Sequence, residues 1–269
     1  MDLSLTIKEL FKKSKNASHK FDGYFEIYEK NFSSYKNKKI VFVEIGILNG
    51  GSLSVWREYF GPKSRIIGID LNPECKKFEE DGVEVFIGNQ SDPIFWDNFF
   101  KKVGNVDIIL DDGGHTNLDQ IITTIKTVER INNGGILMIE DTHTSYYNVY
   151  NSKKSFSFIN YAKKIVDDVN SRVVNVGKFN FSLRNMIYST SFYTSIVVFN
   201  IDREKCTASE EFKNDGTNHD VKNFAWIGNE IHVKKFKKIF SNFNFISLRK
   251  ITKFIKNRIH NKILENFFK

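Results

Sequence analysis

Cysteine, proline and long apolar runs are scarce in this sequence. Its 269 residues include 2 cysteines and 3 prolines. Cys75 and Cys206 lie far apart and show no metal-ligand spacing, so we expect a reduced, cytoplasmic protein. No run of about 18 apolar residues is present to form a transmembrane helix. The first residues lack the basic and apolar regions of a signal peptide.

Acidic residues are almost absent from the end of the chain. Residues 233–269 contain 11 lysines and arginines against one acid, Glu265, which leaves 29 basic and 31 acidic residues in residues 1–232. The net charge of +8 therefore belongs to this tail. An enzyme that acts on nucleic acid carries basic surface around its active site. The near-neutral remainder of the chain therefore argues against a nucleic-acid partner.

The basic tail is also amphipathic. Large apolar residues recur at helical spacing along it, at Ile251, Phe254, Ile255, Ile259, Ile263 and Phe267. Basic helices of this kind bind anionic membrane interfaces, and an apolar stripe also packs between subunits. We keep both interpretations of the tail: peripheral contact with the inner membrane, and packing within a homo-oligomer.

Two apolar stretches end in acidic residues. Residues 108–115 read Ile-Ile-Leu-Asp-Asp-Gly-Gly-His, and the run Gly135–Ile139 is followed directly by Glu140 and Asp141. Such runs are typical of buried parallel strands, whose carboxyl ends form the ligand-binding edge of an open α/β sheet. We therefore expect these acids and the histidine to converge on one crevice. So many like charges repel one another unless a cation or a substrate lies among them.

A glycine-rich turn follows the first predicted strand, Lys39–Gly46. Gly46 and Gly50 allow a ligand to approach the backbone, and Ser52 is expected to cap the following helix at 53–60. Strand, turn and helix in this order are typical of the first unit of a nucleotide-binding sheet.

The next two predicted strands also end in polar groups. Asp70 ends the strand Arg65–Asp70 and lies 24 residues beyond Gly46. An acid at this place binds the hydroxyls of a ribose; the alternative is a helix N-cap before Pro73. The third strand, Val83–Ile87, is followed at 88–92 by Gly-Asn-Gln-Ser-Asp, whose polar groups can frame an adenine.

These motifs resemble those of the class I S-adenosylmethionine-dependent methyltransferases. The narrower likeness is to the metal-dependent O-methyltransferases of macrolide sugars and to cephalosporin-hydroxylase-like proteins. It rests on Gly-Gly-Ser-Leu-x-x-Trp (50–56), Gly-Asn-Gln-Ser-Asp (88–92), Asp-Asp-Gly-Gly-His (111–115) and Ile-Glu-Asp-Thr-x-Thr-Ser-Tyr (139–146). The likeness covers residues 38–202 and implies an α/β fold with a doubly wound, seven-stranded Rossmann-like sheet. Gly114 stands where the family has Ser, which we expect to alter loop stiffness rather than chemistry.

The resemblance also implies the cofactors and the site residues. The cofactors are S-adenosylmethionine and Mg²⁺, with Mg²⁺ held by Asp112, Glu140 and Asp141 and with His115 as the general base. The residues expected to bind S-adenosylmethionine are Glu44, Gly46, Asn49, Gly50, Ser52, Asp70, Asn72, Gln90, Ser91 and Asp111. The acceptor is expected to contact the loop 142–151 through His143, Tyr146 and Tyr147, and His143 is the competing base.

The chemistry of methyl transfer points to the same roles. A hydroxyl is a weak nucleophile at neutral pH, and a hard divalent cation held by carboxylates lowers its pKa. An imidazole beside the cation can take the proton. Three carboxylates suit Mg²⁺ better than Zn²⁺. The alternative roles are a surface or capping histidine at His115 and a solvated strand end at Glu140 and Asp141.

The remaining segments surround this domain. We predict a helical lead-in over 1–37, the methyltransferase domain over 38–202, a polar irregular segment over 203–232 and the amphipathic tail over 233–269. A helix at 155–174 and a hairpin of Met186–Tyr188 and Ser191–Ile201 complete the fold. Aromatic residues form a stripe along the lead-in: Phe21, Tyr24, Phe25, Tyr28 and Phe32. We expect this stripe to pack on the domain or on a partner subunit. The alternative is that Tyr24 or Tyr28 covers a ligand.

The sequence therefore predicts a Mg²⁺-dependent O-methyltransferase for a hydroxyl of a sugar or sugar nucleotide, in capsule polysaccharide, other surface-glycan or natural-product biosynthesis. Three alternatives stay open. The first is a methyltransferase whose acceptor is a catechol or a phosphoramidate, and the second is an RNA methyltransferase. The third is a non-catalytic, cofactor-binding scaffold in glycan assembly. The joint presence of Asp112, His115, Glu140 and Asp141 argues against the scaffold.

Overall fold

A computed structural model describes residues 5–80, 82–150, 156–172, 183–207, 210, 212–217 and 219. The chain divides into two units between Glu210 and Glu211, and the fold below is that of the first unit. The predicted tail, 233–269, lies outside the described residues, so both interpretations of it stay predictions. No helix in the described ranges is long and apolar enough to cross a membrane.

The described unit is built on a seven-stranded sheet. Its strands are β1 Val41–Ile45, β2 Arg65–Asp70, β3 Val83–Ile87, β4 Val106–Asp111, β5 Ile131–Ile139, β6 Ile187–Tyr193 and β7 Ile196–Ile201. The order is β3-β2-β1-β4-β5-β7-β6; the first five strands are parallel, and β7 is antiparallel to both its neighbours. The order in which the strands are added reverses between β1 and β4, and open sheets of this kind bind ligands at that point. The predicted fold class is confirmed.

In the described part of the chain, six α-helices flank the sheet: α1 Ile7–Lys13, α2 Tyr24–Phe32, α3 Gly51–Phe60, α4 Pro93–Val103, α5 Asn117–Thr127 and α6 Phe158–Ser171. Their starts are set by local hydrogen bonds. Thr6 and Thr116 form capping boxes with the acids three residues later, and Asp92 caps α4 before Pro93. Short 3₁₀ turns follow several elements, among them Pro73–Phe78 and Thr142–Tyr146.

Alternate residues of each central strand pack on opposite faces of the sheet, because side chains alternate along a strand. On one face Phe42 and Leu110 pack with Trp56 of α3 and with α1 and α2. On the other face Val43 and Ile109 pack with α4 and α6. The helical lead-in is thus part of the core rather than an appendage.

The structure corrects two local predictions. Ser52 lies inside α3 and donates to Glu44 at 2.5 Å, while Gly50 occupies the N-cap position without a side-chain hydrogen bond. The hairpin turns at Thr194–Ser195, not between Tyr188 and Ser191. Ser195 adopts a positive φ of 63° there, and without a glycine the sequence does not mark the turn.

Candidate functional site

The acids predicted to converge do meet at the carboxyl ends of β1, β4 and β5. The backbone N–H of Asp112 donates to Ile45, and that of Glu140 donates to Asp111, each at 2.9 Å. Parallel pairing therefore places Asp112 and Glu140 at the same level of the sheet. Glu44 of β1 lies beside them and is fully buried, as is Glu140. Burial raises the pKa of both glutamates above the ordinary value.

Lys20, which precedes α2, supplies a cation to this cluster. Its Nζ lies 2.5 Å from Asp112 Oδ2, 3.1 Å from Glu140 Oε2 and 3.7 Å from Glu44 Oε1. The Lys20 side chain is only 4% exposed. Burial alone would lower its pKa, but the three carboxylates raise it above the ordinary value, so the amine stays charged.

Two tyrosines of α2 bind the same acids. Tyr28 donates its hydroxyl to Glu140, and Tyr24 donates to Asp141 Oδ1 at 2.5 Å. Burial raises the pKa of both tyrosines, so each remains a protonated donor. The two residues lie four positions apart and therefore share one helix face. The lead-in thus reaches the acidic cluster through its tyrosines as well as through Lys20.

A second group of ligand atoms lies on the other side of Asp112. Oxygen or nitrogen atoms of Asp112, His115 and Asp141 all lie within 4.8 Å of one another. His115 Nε2 is 3.4 Å from Asp141 Oδ2 and 3.9 Å from Asp112 Oδ1. Carboxylates with an imidazole can bind a divalent cation, so the residues present fit the predicted metal. Of the three predicted ligands, Asp112 and Asp141 meet here, whereas the Glu140 carboxylate binds Tyr28 and Lys20.

The turn after β1 is held by Asp70. Its Oδ2 accepts hydrogen bonds from the backbone N–H groups of Ile47 and Leu48, both at 3.0 Å, and its Oδ1 accepts one from Asn72 at 2.9 Å. Gly46 adopts a φ of +83°, and a Cβ there would lie 2.1 Å from the carbonyl oxygen of Asp112. The cofactor turn and the acidic loop are therefore in direct contact.

Two exposed apolar side chains lie next to Asp70. Leu48 follows β1 and is 74% exposed, and Leu71 follows β2 and is 70% exposed. Large exposed aliphatic groups near the carboxyl ends of parallel strands suit the faces of a nucleoside. The residues present here thus fit the predicted cofactor.

Two predicted cofactor ligands, Gln90 and Asp111, are instead bonded to each other. Gln90 Nε2 donates to both carboxylate oxygens of Asp111, at 2.9 and 3.1 Å. Gln90 Oε1 accepts from the backbone N–H of Gly114 at 2.7 Å. Burial raises the pKa of Asp111 to about 6. This pair supports the Gly113–Gly114 loop that carries His115, and its role toward the cofactor stays a prediction.

Three further predicted cofactor residues lie on surface turns. Asn72 caps the 3₁₀ turn Pro73–Phe78 by accepting from Glu74, so it, rather than Asp70, is the cap before Pro73. Ser91 donates its hydroxyl to Asn89. Asn49 is exposed in the turn after β1. Their contacts with a cofactor stay predictions.

A cavity of about 550 Å³ opens beside Asp141. Its walls come from α2, the loop after β5 and the β6–β7 turn, and they include Phe21, Tyr24, His143, Tyr147 and Tyr193. His143 Nδ1 lies 2.5 Å from the hydroxyl of Ser195. Of the predicted acceptor contacts, His143 and Tyr147 line the cavity; Tyr146 is exposed and is not among its lining residues.

Comparisons with known proteins agree with the fold. A solved structure titled MycE methyltransferase from the mycinamycin biosynthetic pathway, in complex with Mg and SAH, superposes with a TM-score of 0.69 at 21% identity. The superposition covers 79% of this chain and 58% of that one. The chain has the class I methyltransferase fold. No protein-family model matches the chain.

Curated relatives of this chain are named as O-methyltransferases. The 8-demethyl-8-alpha-L-rhamnosyl tetracenomycin-C 2'-O-methyltransferase of Streptomyces olivaceus is 28% identical over 155 residues, which are 54% of this chain and 40% of that protein. The mycinamicin VI 2''-O-methyltransferase of Micromonospora griseorubida is 30% identical over 127 residues, which are 45% of this chain and 31% of that protein. The chain therefore spans less than half the length of these relatives. The predicted resemblance to macrolide-sugar O-methyltransferases is confirmed.

Sequence reasoning missed the residues that the lead-in adds to the acidic cluster. Lys20, Tyr24 and Tyr28 all contact acids that follow them by 92 or more positions. The tyrosines fell within the predicted aromatic stripe, and a buried tyrosine needs a partner for its hydroxyl. The need for a hydroxyl partner was therefore a signal for the tyrosines. Lys20 lies in a polar segment, in which the sequence gave no comparable signal.

Proposed function

We propose that the chain is an O-methyltransferase that uses S-adenosylmethionine and a divalent cation, Mg²⁺, to methylate a sugar hydroxyl of a glycosylated small molecule. The observation that carries the proposal is the cluster of Asp112, His115 and Asp141, within 4.8 Å of one another, on loops that contact the cofactor turn. The relatives are named as O-methyltransferases of a rhamnosyl tetracenomycin and of mycinamicin VI, which supports a glycosylated natural product as acceptor. A surface glycan would present the same hydroxyl chemistry.

The cofactor would lie over the turn after β1. S-adenosylmethionine would supply an electrophilic methyl group on its sulfonium. Asp70 Oδ2 accepts two backbone N–H groups and Oδ1 accepts one, so Oδ1 keeps a lone pair that can accept from a ribose hydroxyl. Leu48 and Leu71, exposed on either side of it, would cover the nucleoside.

Asp112 and Asp141 would hold the divalent cation, and a cation there would lower the pKa of an acceptor hydroxyl and fix its direction. His115 is placed to take the proton, since its Nε2 faces both carboxylates. The carboxylates would also stabilise the imidazolium that results. Tyr24 orients Asp141 through its hydrogen bond and excludes water on that side.

The acceptor would enter through the aromatic cavity. Phe21, Tyr24, Tyr147 and Tyr193 present ring surfaces, on which the C–H faces of a sugar pack, and His143 and Ser195 present polar groups. Tyr24 joins the cavity to Asp141 directly. An acceptor held there would lie next to the side chain that binds Asp141.

The test is a methyl-transfer assay with labelled S-adenosylmethionine and a panel of rhamnosides, other glycosides, nucleotide sugars, catechol and a phosphoramidate. We expect labelled product from a glycoside in Mg²⁺, none in EDTA, and recovery when Mg²⁺ is restored. Cofactor binding, measured by calorimetry, should survive EDTA. Product from catechol alone would move the acceptor to the non-sugar class, and full activity in EDTA would remove the metal from the proposal.

A further inference from the structure

Residues 14–23, between α1 and α2, cross the carboxyl edge of the sheet; we name them the strap. Ser14 Oγ donates to the carbonyl of Gly51, the first residue of α3, at 2.8 Å. A Cβ at Gly51 would lie 2.4 Å from the carbonyl oxygen of Asn16 and 2.6 Å from that of Ala17. The strap therefore lies directly on the start of α3 at the proposed cofactor turn.

Most of the strap faces solvent, and Lys20 is the exception. Residues 15–19 and 21–23 are exposed, whereas the Lys20 side chain is 4% exposed and reaches Asp112 and Glu140. The other lysine held near the strap, Lys8 of α1, forms an exposed ion pair with Asp22. Surface pairs of this kind contribute little to stability. Lys20 is thus the charged side chain through which the strap reaches the acids.

The position of the Lys20 amine conflicts with a metal ion held by the same two acids. Its Nζ lies within 3.1 Å of both Asp112 Oδ2 and Glu140 Oε2. A divalent cation bound to those oxygens at roughly 2.0–2.6 Å would occupy nearly the same space as Nζ. Two cations so close repel strongly in a buried site. The two can bind Asp112 and Glu140 in turn but not together.

We infer that Lys20 is a competing internal cation. It neutralises the Asp112–Glu140 pair when no metal ion is bound, and a divalent cation that recruits Glu140 expels it and releases the strap from the acidic cluster. Glu140 then joins Asp112 and Asp141 as a ligand. This inference rests on the divalent cation of the proposed function. To bind there, the metal ion must displace Lys20, which is the strap's contact with the acids. Lys20 is in this sense a positioning residue, since it acts through the carboxylates.

The experiment measures binding of Mn²⁺ to the full chain by electron paramagnetic resonance, without cofactor or acceptor. Lys20→Met keeps the length of the side chain and removes its charge, so we expect the Kd for Mn²⁺ to fall by about tenfold or more. Lys8→Met is the matched control. It removes the same charge from a neighbouring ion pair, and its Kd should stay within about twofold of wild type. An unchanged or weaker Kd in Lys20→Met would overturn the inference.

Hydrogen exchange on the wild-type protein gives a second measurement that needs no variant. Mn²⁺ should speed amide exchange in residues 14–23 and leave β1 and β4 unchanged. Slower or equal exchange in the strap would mean that Lys20 stays in place, and would overturn the inference even if Lys20→Met does not fold. Neither measurement depends on methyl transfer. If neither the wild type nor folded Lys20→Met binds Mn²⁺, both the inference and the proposed metal site are wrong. If both proteins bind Mn²⁺ as expected but no acceptor is methylated, only the proposed activity is wrong.

Discussion

Two residues of the acidic cluster adopt left-handed backbone conformations. His115 has a φ of 56° and Asp141 a φ of 52°. Non-glycine residues in such conformations cost about 1–3 kcal/mol each, and they persist at sites where the surrounding structure holds them. At His115 the support is the Gln90–Gly114 hydrogen bond, and at Asp141 it is Tyr24. Strain at both residues favours a functional role for this cluster.

Replacing His115 by asparagine tests the general base. Asparagine tolerates a positive φ, so the loop should keep its conformation, but the imidazole is lost. We expect kcat to fall by roughly 10²–10⁴, with the affinity for S-adenosylmethionine unchanged by calorimetry. His143→Asn is the control, because it removes the imidazole 2.5 Å from the Ser195 hydroxyl and should cost far less. A near-normal rate in His115→Asn with a large loss in His143→Asn would exchange the two roles.

Asp70→Ala tests the acid at the end of β2. It removes the acceptor for the N–H groups of Ile47, Leu48 and Asn72, so the cofactor turn loses its support along with the ribose contact. We expect cofactor binding to weaken by about 1–3 kcal/mol, measured by calorimetry with S-adenosylhomocysteine.

Asp97→Ala is the matched control for Asp70→Ala. It removes an exposed acid that pairs with Lys126, so both the free energy of unfolding and the cofactor affinity should change little. Equal affinity in Asp70→Ala and wild type would contradict the ribose role.

At the scale of elements, the loop after β4 depends on the loop after β3. Gln90 follows β3 and bonds Asp111 of β4 and Gly114 of the next loop. Asp111 is 1% exposed, so its carboxylate has no water to replace those donors. A single amide thus fixes the position of two strand ends relative to each other.

Gln90→Met should therefore be strongly destabilising. The methionine matches the glutamine in length but leaves a buried carboxylate without its amide donor and the N–H of Gly114 without its acceptor. We expect a loss of about 2–4 kcal/mol in the free energy of unfolding, measured with urea. Turnover should fall as well, because His115 follows Gly114. A loss below about 0.5 kcal/mol would show that the pair does not support the loop.

At the scale of the whole chain, the basic tail of residues 233–269 adds 11 positive charges to a near-neutral body. Each lysine or arginine near an anionic lipid surface contributes about 1 kcal/mol to binding. We expect the full chain to co-sediment with vesicles that contain anionic lipid, and a form that ends at Glu230 to stay in solution. Vesicles of neutral lipid are the control. Equal binding by both forms, or none by either at low salt, would leave intersubunit packing as the account of the tail.

The sequence by itself determined the sheet and most of its edge chemistry. Strands β2 and β3 begin and end where the sequence predicts, because alternating or continuous apolar runs are local signals. Parallel strands deliver their following residues to one edge, so the meeting of Asp112, His115 and Asp141 could be predicted from their places after two strands.

Only the tertiary structure decided what lies above those acids. The sequence indicated that a cation or a substrate lies among the carboxylates. The chain itself supplies a cation, the amine of Lys20, which lies 92 residues before Asp112. Tyr28, which binds Glu140, and one wall of the aromatic cavity likewise come from α2. No periodicity links residues so far apart. Their contact depends on how the lead-in packs over α3 and the sheet edge, and that packing is a property of shape and burial rather than of local pattern.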